Sequence, residues 1–142
     1  MQSDVLRSIA VTPDPESIGQ VRQFVQDCCS DWGLEVASDT AVLLASELAT
    51  NAVRYACTPV IVWLGHRPAR LVLSVEDASH EPATVRHPNP LDEGGRGLLL
   101  VDALADRWGE RDVSTGKLVW AEISTTRRPV PEQPTGPGAG HA

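Results

Sequence analysis

Apolar and polar residues recur with two different periods along the chain, and the period predicts which segments are strands and which are helices. Short runs rich in β-branched residues predict strands, whereas apolar residues repeating every three or four positions predict helices. The predicted strands are 5–11, 58–66, 69–77, 107–112 and 116–124, and the predicted helices are 15–33, 35–56 and 95–109. Gly33 is expected to end the first helix, with Ser38 and Asp39 as candidate N-cap residues of the second.

The order of these elements, β-α-α-β-β-loop-α-β-β, predicts an α+β fold. We expect a two-layer sandwich in which three helices cover one face of a mixed, mostly antiparallel sheet of about five strands. Residues 1–124 would form this domain, and the Pro- and Gly-rich segment 125–142 predicts a disordered tail. The aperiodic segment 78–95 predicts a long loop, and loops of that length in compact domains are often lids or binding loops.

The charge and composition of the chain argue against some classes of function, among them nucleic-acid binding and membrane insertion. The chain has 142 residues and a formal net charge of −7, and its basic residues are scattered, so direct binding to nucleic acid is not expected. No apolar run reaches the roughly 18 residues of a membrane span, and the first residues do not resemble a signal peptide. We therefore expect a cytoplasmic protein without a membrane partner. The three cysteines do not have metal-ligand spacing and are expected to be packing thiols.

Two polar residues stand within the apolar pattern of the second predicted helix. Glu47 and Asn51 are four positions apart, so they lie on one helix face, and Leu44 and Leu48 place them at the edge of its apolar stripe. Helical Glu and Asn side chains usually point to solvent. A carboxylate at such an edge is nevertheless a candidate general base, and an amide oxygen is a candidate ligand of a hard cation.

Two further stretches carry candidate chemistry. Asp77 ends a strand of apolar residues, where it is either a loop-starting residue or a buried acceptor for a ligand amine. The segment Gly94-Gly95-Arg96-Gly97 precedes an apolar helical pattern. Glycines at a helix start allow the backbone amides to approach a phosphate, although a plain loop-to-helix connection has the same pattern. Backbone amides and a cation would let an acidic protein bind an anionic nucleotide.

The three stretches, in this order, resemble the GHKL family of ATP-binding domains, and in particular the bacterial anti-sigma factor serine/threonine-protein kinases. The resemblance covers residues 5–124. The segment "ELATNAV" is similar to the N box of that family, "VED" to the start of its first glycine box, and "GGRGLLLV" to its second glycine box. The loop between the two glycine boxes would then be the ATP lid.

The resemblance implies roles for individual residues. Glu47 would be the general base, Asn51 would bind Mg²⁺, and Asp77 would accept a hydrogen bond from the adenine amino group. The start of the third helix would bind the phosphates of ATP through the glycine-rich turn that comprises Gly95, Arg96, Gly97 and Leu98. The implied partners are a STAS-domain anti-sigma antagonist, a sigma factor and a second copy of the chain in a homodimer.

Two departures from the family pattern leave a second hypothesis open. Ala78 follows Asp77 where the first glycine box continues towards a glycine, and Leu118 stands in the last strand where a threonine is frequent. These residues favour a partner-binding regulator of the same fold with weak or no ATP binding and no kinase activity. A histidine kinase core is a third reading, but the chain has no room for the helical dimerisation domain that such a core uses.

Overall fold

The computed structural model of this chain describes residues 5–55, 58–78, 93–113 and 116–126, with the backbone alone for residue 55 and residues 93–98. The strands are β1 (Val5–Val11), β2 (Val60–Arg67), β3 (Arg70–Asp77), β4 (Arg107–Val113) and β5 (Gly116–Ser124), and the helices are α1 (Ser17–Asp31), α2 (Glu35–Tyr55) and α3 (Glu93–Leu104). The predicted lid, except for its ends, and the predicted tail from residue 127 onward lie outside the described residues.

The five strands form one sheet in the order β1-β2-β3-β5-β4, in which every described pair is antiparallel. This confirms the predicted α+β fold, and the parallel pairing that a mixed sheet would need does not occur among the described strands. β3 therefore lies at the centre of the sheet, with β2 on one side and β5 on the other. No helix in the described part of the chain is both long enough and apolar enough to cross a membrane.

Alternation of burial along β2, β3 and β5 gives the sheet a buried face and an open face. In β3 the buried residues are Leu71, Leu73, Val75 and Asp77, and the residues between them are only partly covered. Because successive strand residues point to opposite faces, these four side chains share the face on which the helices pack. α2 packs across β3 and also contacts β2 and β5. The core thus lies between α2 and the central strands.

The connection between α1 and α2 is short because a glycine ends the first helix. Gly33 has a φ of 70°, which glycine adopts without strain. The Gly33 amide donates to the Ser30 carbonyl and the Leu34 amide to the Cys29 carbonyl, as in a Schellman motif. This confirms the prediction for Gly33. α2 begins directly afterwards at Glu35, so the prediction that Ser38 or Asp39 caps its N-terminus is wrong.

The third helix is shifted and shorter than predicted. It begins at Glu93 instead of residue 95 and ends at Leu104 instead of residue 109. The amide of Asp106 already donates to the carbonyl of Glu122 in β5, 2.9 Å away, which draws the chain into the sheet. Trp108 and Gly109 were predicted both in this helix and in the strand 107–112. They belong to β4, which confirms the strand.

The two cysteines that the structure describes are buried and unoxidised. Cys28 and Cys29 lie on α1 and have 1% and 0% of their surface exposed. Burial is the main cause that raises the pKa of the Cys29 thiol to about 11, and it also raises the pKa of Cys28. A thiol with a raised pKa is a poor nucleophile, because the thiolate is the reactive form. Both residues therefore behave as packing thiols.

Candidate functional site

Glu47 and Asn51 lie on α2 at the interface between the helices and the sheet, and their side chains differ in burial. Asn51 is only 5% exposed, on the same buried stripe as Leu44 and Leu48, whereas Glu47 is half-buried at its edge. The Oδ1 atom of Asn51 is buried and accepts no hydrogen bond from the residues that the structure describes, although the residue has other interactions. A buried amide oxygen of this kind is suited to a ligand or a cation, because burying it without an acceptor role is costly.

Asp77 is the last residue of the central strand and is 4% exposed. It continues the buried row of Leu73 and Val75, so its side chain lies on the face covered by the helices. Just beyond it, the amide of Ala78 donates to Oγ1 of Thr58, 3.1 Å away. This hydrogen bond joins the end of β3 to the segment that leads into β2, which fixes the point where the strand stops.

A buried lysine, which the sequence motifs did not single out, stands next to Asp77. Lys117 of β5 is 5% exposed and is the register partner of Asp77 on one side and of Asp112 on the other. Residues directly opposite each other in neighbouring strands point to the same face. The three side chains therefore form a row across the sheet, Asp77–Lys117–Asp112, with Lys117 Nζ 3.3 Å from Asp112 Oδ1.

The same alternation places Leu118 on the other face of the sheet. Its register partners are Glu76 and Arg111, whose side chains also lie on the open face. Leu118 therefore does not share a face with Asp77, and Lys117 is the residue of β5 that stands opposite Asp77. The sequence alone did not assign Lys117 to the inner face, because Leu118 and Trp120 make the other face of β5 equally apolar.

The glycine-rich turn lies within the first two turns of α3. The residues predicted to bind phosphate, Gly95, Arg96, Gly97 and Leu98, all belong to the helix that begins at Glu93. The amides of a first helical turn have no partner within the helix, so this backbone can donate to an anion. Contacts of the side chains in this turn lie outside the described part of the structure, as does the predicted lid.

A surface cavity lies on the opposite side of the sheet. It measures about 410 Å³, and its wall includes Val72, Arg107 and Trp120 on the open face. Asp77 and Lys117 point to the inner face, so this cavity is separate from the candidate site.

The polar groups at the inner face fit a nucleotide. Asp77 offers an acceptor, Asn51 a buried amide oxygen, and the start of α3 a set of backbone donors. An adenine amino group, a hard cation and phosphate oxygens are the chemical complements of these three groups.

Comparison with known families supports this interpretation. Residues 11–123 match the family model described as histidine kinase-like ATPase domain, a span that includes Glu47, Asn51, Asp77 and the strands β2 to β4. A comparison with curated proteins found no match. Because the family model covers most of the chain, the protein belongs to the histidine kinase-like ATPase domain family.

Proposed function

We propose that this protein binds ATP with Mg²⁺ and transfers the γ-phosphoryl group to a serine or threonine of a regulatory partner protein. The observation that carries the proposal is the burial of Asn51 and Asp77 in a histidine kinase-like ATPase domain, on the elements that carry the N box and the first glycine box. An amide oxygen and a carboxylate can accept hydrogen bonds from a ligand or bind a hard cation.

Residues of β3, α2 and α3 would each bind a different part of Mg·ATP. Asp77 accepts a hydrogen bond from the amino group of the base, and the amides at the start of α3 bind phosphate oxygens. Asn51 would hold the cation through Oδ1, because an amide oxygen is a suitable ligand of Mg²⁺. Bound Mg²⁺ would neutralise charge on the phosphates during transfer.

Glu47 is placed to act on the acceptor hydroxyl. It is one helical turn from Asn51 and half-buried, so its carboxylate is accessible from the edge of the site. In the transfer, the hydroxyl oxygen forms a bond to the γ-phosphorus, the bond from that phosphorus to the bridging oxygen breaks, and ADP leaves. Glu47 accepts the hydroxyl proton as general base.

The resemblance to anti-sigma factor kinases supplies the partners of this proposal. The acceptor would be a STAS-domain anti-sigma antagonist, the second partner a sigma factor, and the functional unit a cytoplasmic homodimer.

The first experiment is thermal unfolding with and without Mg·ATP. ATP at about 100 times its dissociation constant should stabilise the protein by roughly 2.7 kcal/mol, which raises Tm by about 10 °C for a domain of this size. Asn51→Ala should abolish the part of the shift that requires Mg²⁺. Thr50→Ala is the matched control, because Thr50 is the exposed neighbour of Asn51 on α2. The absence of any shift at millimolar ATP would refute the proposal.

A second candidate function is a regulator that binds its partner without using ATP. Ala78 favours it, because the first glycine box continues towards a glycine and a side chain here limits the backbone beside the base. Titration calorimetry with the partner, with and without Mg·ATP, separates the two functions. Partner binding that is independent of nucleotide, in a protein whose Tm ATP does not change, would establish the second.

A further inference from the structure

Lys117 is the only lysine of the chain, and it is one of the most deeply buried charged residues that the structure describes. An ammonium group is strongly hydrated, and lysine is almost never fully buried unless it is paired. A lysine with 5% exposure at the end of a strand therefore requires a compensating interaction.

Asp112 compensates Lys117 only in part. Its oxygen is 3.3 Å from Nζ, but the Asp112 side chain is 75% exposed, and ion pairs with a solvated partner contribute little. Asp77, on the other side of Lys117 in the sheet, is as buried as the lysine itself. Asp77 and Lys117 are thus buried residues of opposite charge on neighbouring strands, with β-carbons about 5 Å apart as for any directly opposite pair.

We propose that Lys117 is a base-binding residue of the nucleotide site, a proposal that rests on the proposed function. Asp77 accepts from the exocyclic amino group of adenine, and Lys117 donates to a ring nitrogen adjacent to that group. Adenine carries this donor beside an acceptor on each of its two accessible edges, through N1 and N7. A carboxylate next to an ammonium matches such an edge in both position and polarity.

The test pairs a change in the protein with a change in the base. Binding of ATP, 1-deaza-ATP and 7-deaza-ATP is measured by titration calorimetry on the wild-type protein and on Lys117→Met, which keeps the length of the side chain but removes its donors. We expect Lys117→Met to weaken ATP by about tenfold or more, as for a hydrogen bond from a charged donor. For one of the two analogues, the substitution should have no further effect, because the acceptor is already absent.

Asp112→Asn is the control, since it alters the exposed partner of Lys117 and leaves the ammonium in place. It should change the affinity for ATP by less than about twofold. If it weakens ATP as much as Lys117→Met does, the effect belongs to the ion pair and the inference is overturned. Equal losses for ATP and both analogues in Lys117→Met would overturn it as well.

The wild-type protein keeps the inference testable if Lys117→Met does not fold. Wild-type protein should bind one analogue at least fivefold more weakly than ATP, in line with the loss of one charge-assisted hydrogen bond. Equal affinity for ATP and both analogues contradicts the role of Lys117 but leaves the proposed function intact. Failure of the wild-type protein to bind ATP at all refutes the proposed function itself.

Discussion

Gly116 lies against the backbone of Asp77 so closely that a β-carbon at position 116 would overlap the Asp77 carbonyl oxygen and crowd Cα of Ala78. The φ of Gly116 is 152°, which L-residues rarely adopt. Gly116 is the first residue of β5, where it pairs with Val113 of β4. The absence of a side chain at Gly116 therefore lets the last strand approach the end of the central strand and sets the position of Asp77.

Gly116→Ala should destabilise the protein and displace Asp77. Overlap with backbone atoms, together with the unfavourable φ, predicts a loss of roughly 1–3 kcal/mol of unfolding free energy in urea denaturation. The affinity for ATP should fall with it. Gly19→Ala is the control, because open space surrounds Gly19 within α1. That substitution should stabilise the protein by about 0.5–1 kcal/mol. Equal stability of the two variants would contradict the close approach.

Asp77→Asn should weaken ATP binding by about tenfold or more, because the charged acceptor becomes a neutral amide of the same shape. The measurement is titration calorimetry with Mg·ATP. Asp39→Asn, which changes an exposed aspartate on α2, should leave the affinity unchanged. Wild-type affinity in Asp77→Asn would remove Asp77 from the base-binding site.

Glu47→Gln should abolish phosphoryl transfer and leave nucleotide binding intact. Loss of a general base lowers the rate by a factor on the order of 10²–10⁴. Transfer of labelled phosphate to a candidate STAS-domain protein measures the rate, and the Tm shift with Mg·ATP checks binding. Glu35→Gln, at the exposed start of α2, is the matched control. A transfer rate in Glu47→Gln equal to that of the wild type would assign the base to another residue.

The stability of the protein should fall between about pH 9 and pH 11 because of Cys29. Burial raises the pKa of this thiol to about 11 from the ordinary value of 9.0, so the folded state keeps the proton to a higher pH than the unfolded chain. The corresponding stabilisation is fully present below the unfolded pKa and is lost as the pH rises through the folded pKa.

Urea denaturation at several pH values measures this dependence. Cys29→Ala should show a smaller decrease in unfolding free energy over the same range, whatever its stability at neutral pH. Ser30→Ala, an exposed neighbour on α1, should keep the wild-type slope. Identical slopes in wild-type protein and Cys29→Ala would show that the thiol titrates equally in both states.

The elements with a clear period were predictable from the sequence. The strands predicted at 58–66 and 69–77 left residues 67 and 68 for the turn of a hairpin. The hairpin is confirmed, but its two-residue turn is Pro68-Ala69, between the paired residues Arg67 and Arg70. The bounds of α2 were predicted to within one residue at its C-terminal end, since apolar residues continue along one face to the end. The period of apolar residues shows which side chains of a strand or helix are buried, and these elements could therefore be predicted from it.

The end of α3 was not predictable in the same way. The apolar residues of the helix run directly into Trp108, which packs against the core from β4 rather than from the helix. Only the tertiary hydrogen bond from Asp106 to β5 decides where the helix stops. The periodicity of the sequence cannot predict this contact, because it joins residues far apart in the chain.

Part of the candidate site followed from the sequence, and part depended on strand pairing. Asn51 and Asp77 were singled out by a polar residue within an apolar pattern, and both are buried. Lys117 could not be linked to Asp77 until the register of β3 and β5 was known, because strands far apart in sequence have many possible registers.

The position of β5 in the chain and in the sheet has a consequence for folding during synthesis. β5 follows all the other described strands in the chain, yet it lies inside the sheet between β3 and β4. While a ribosome still holds β5, the nascent domain exposes one edge of β3, and β4 has no described strand beside it. Asp77 then lacks the strand that carries Lys117. A half-made domain at this stage therefore has an open strand edge that can pair with another chain.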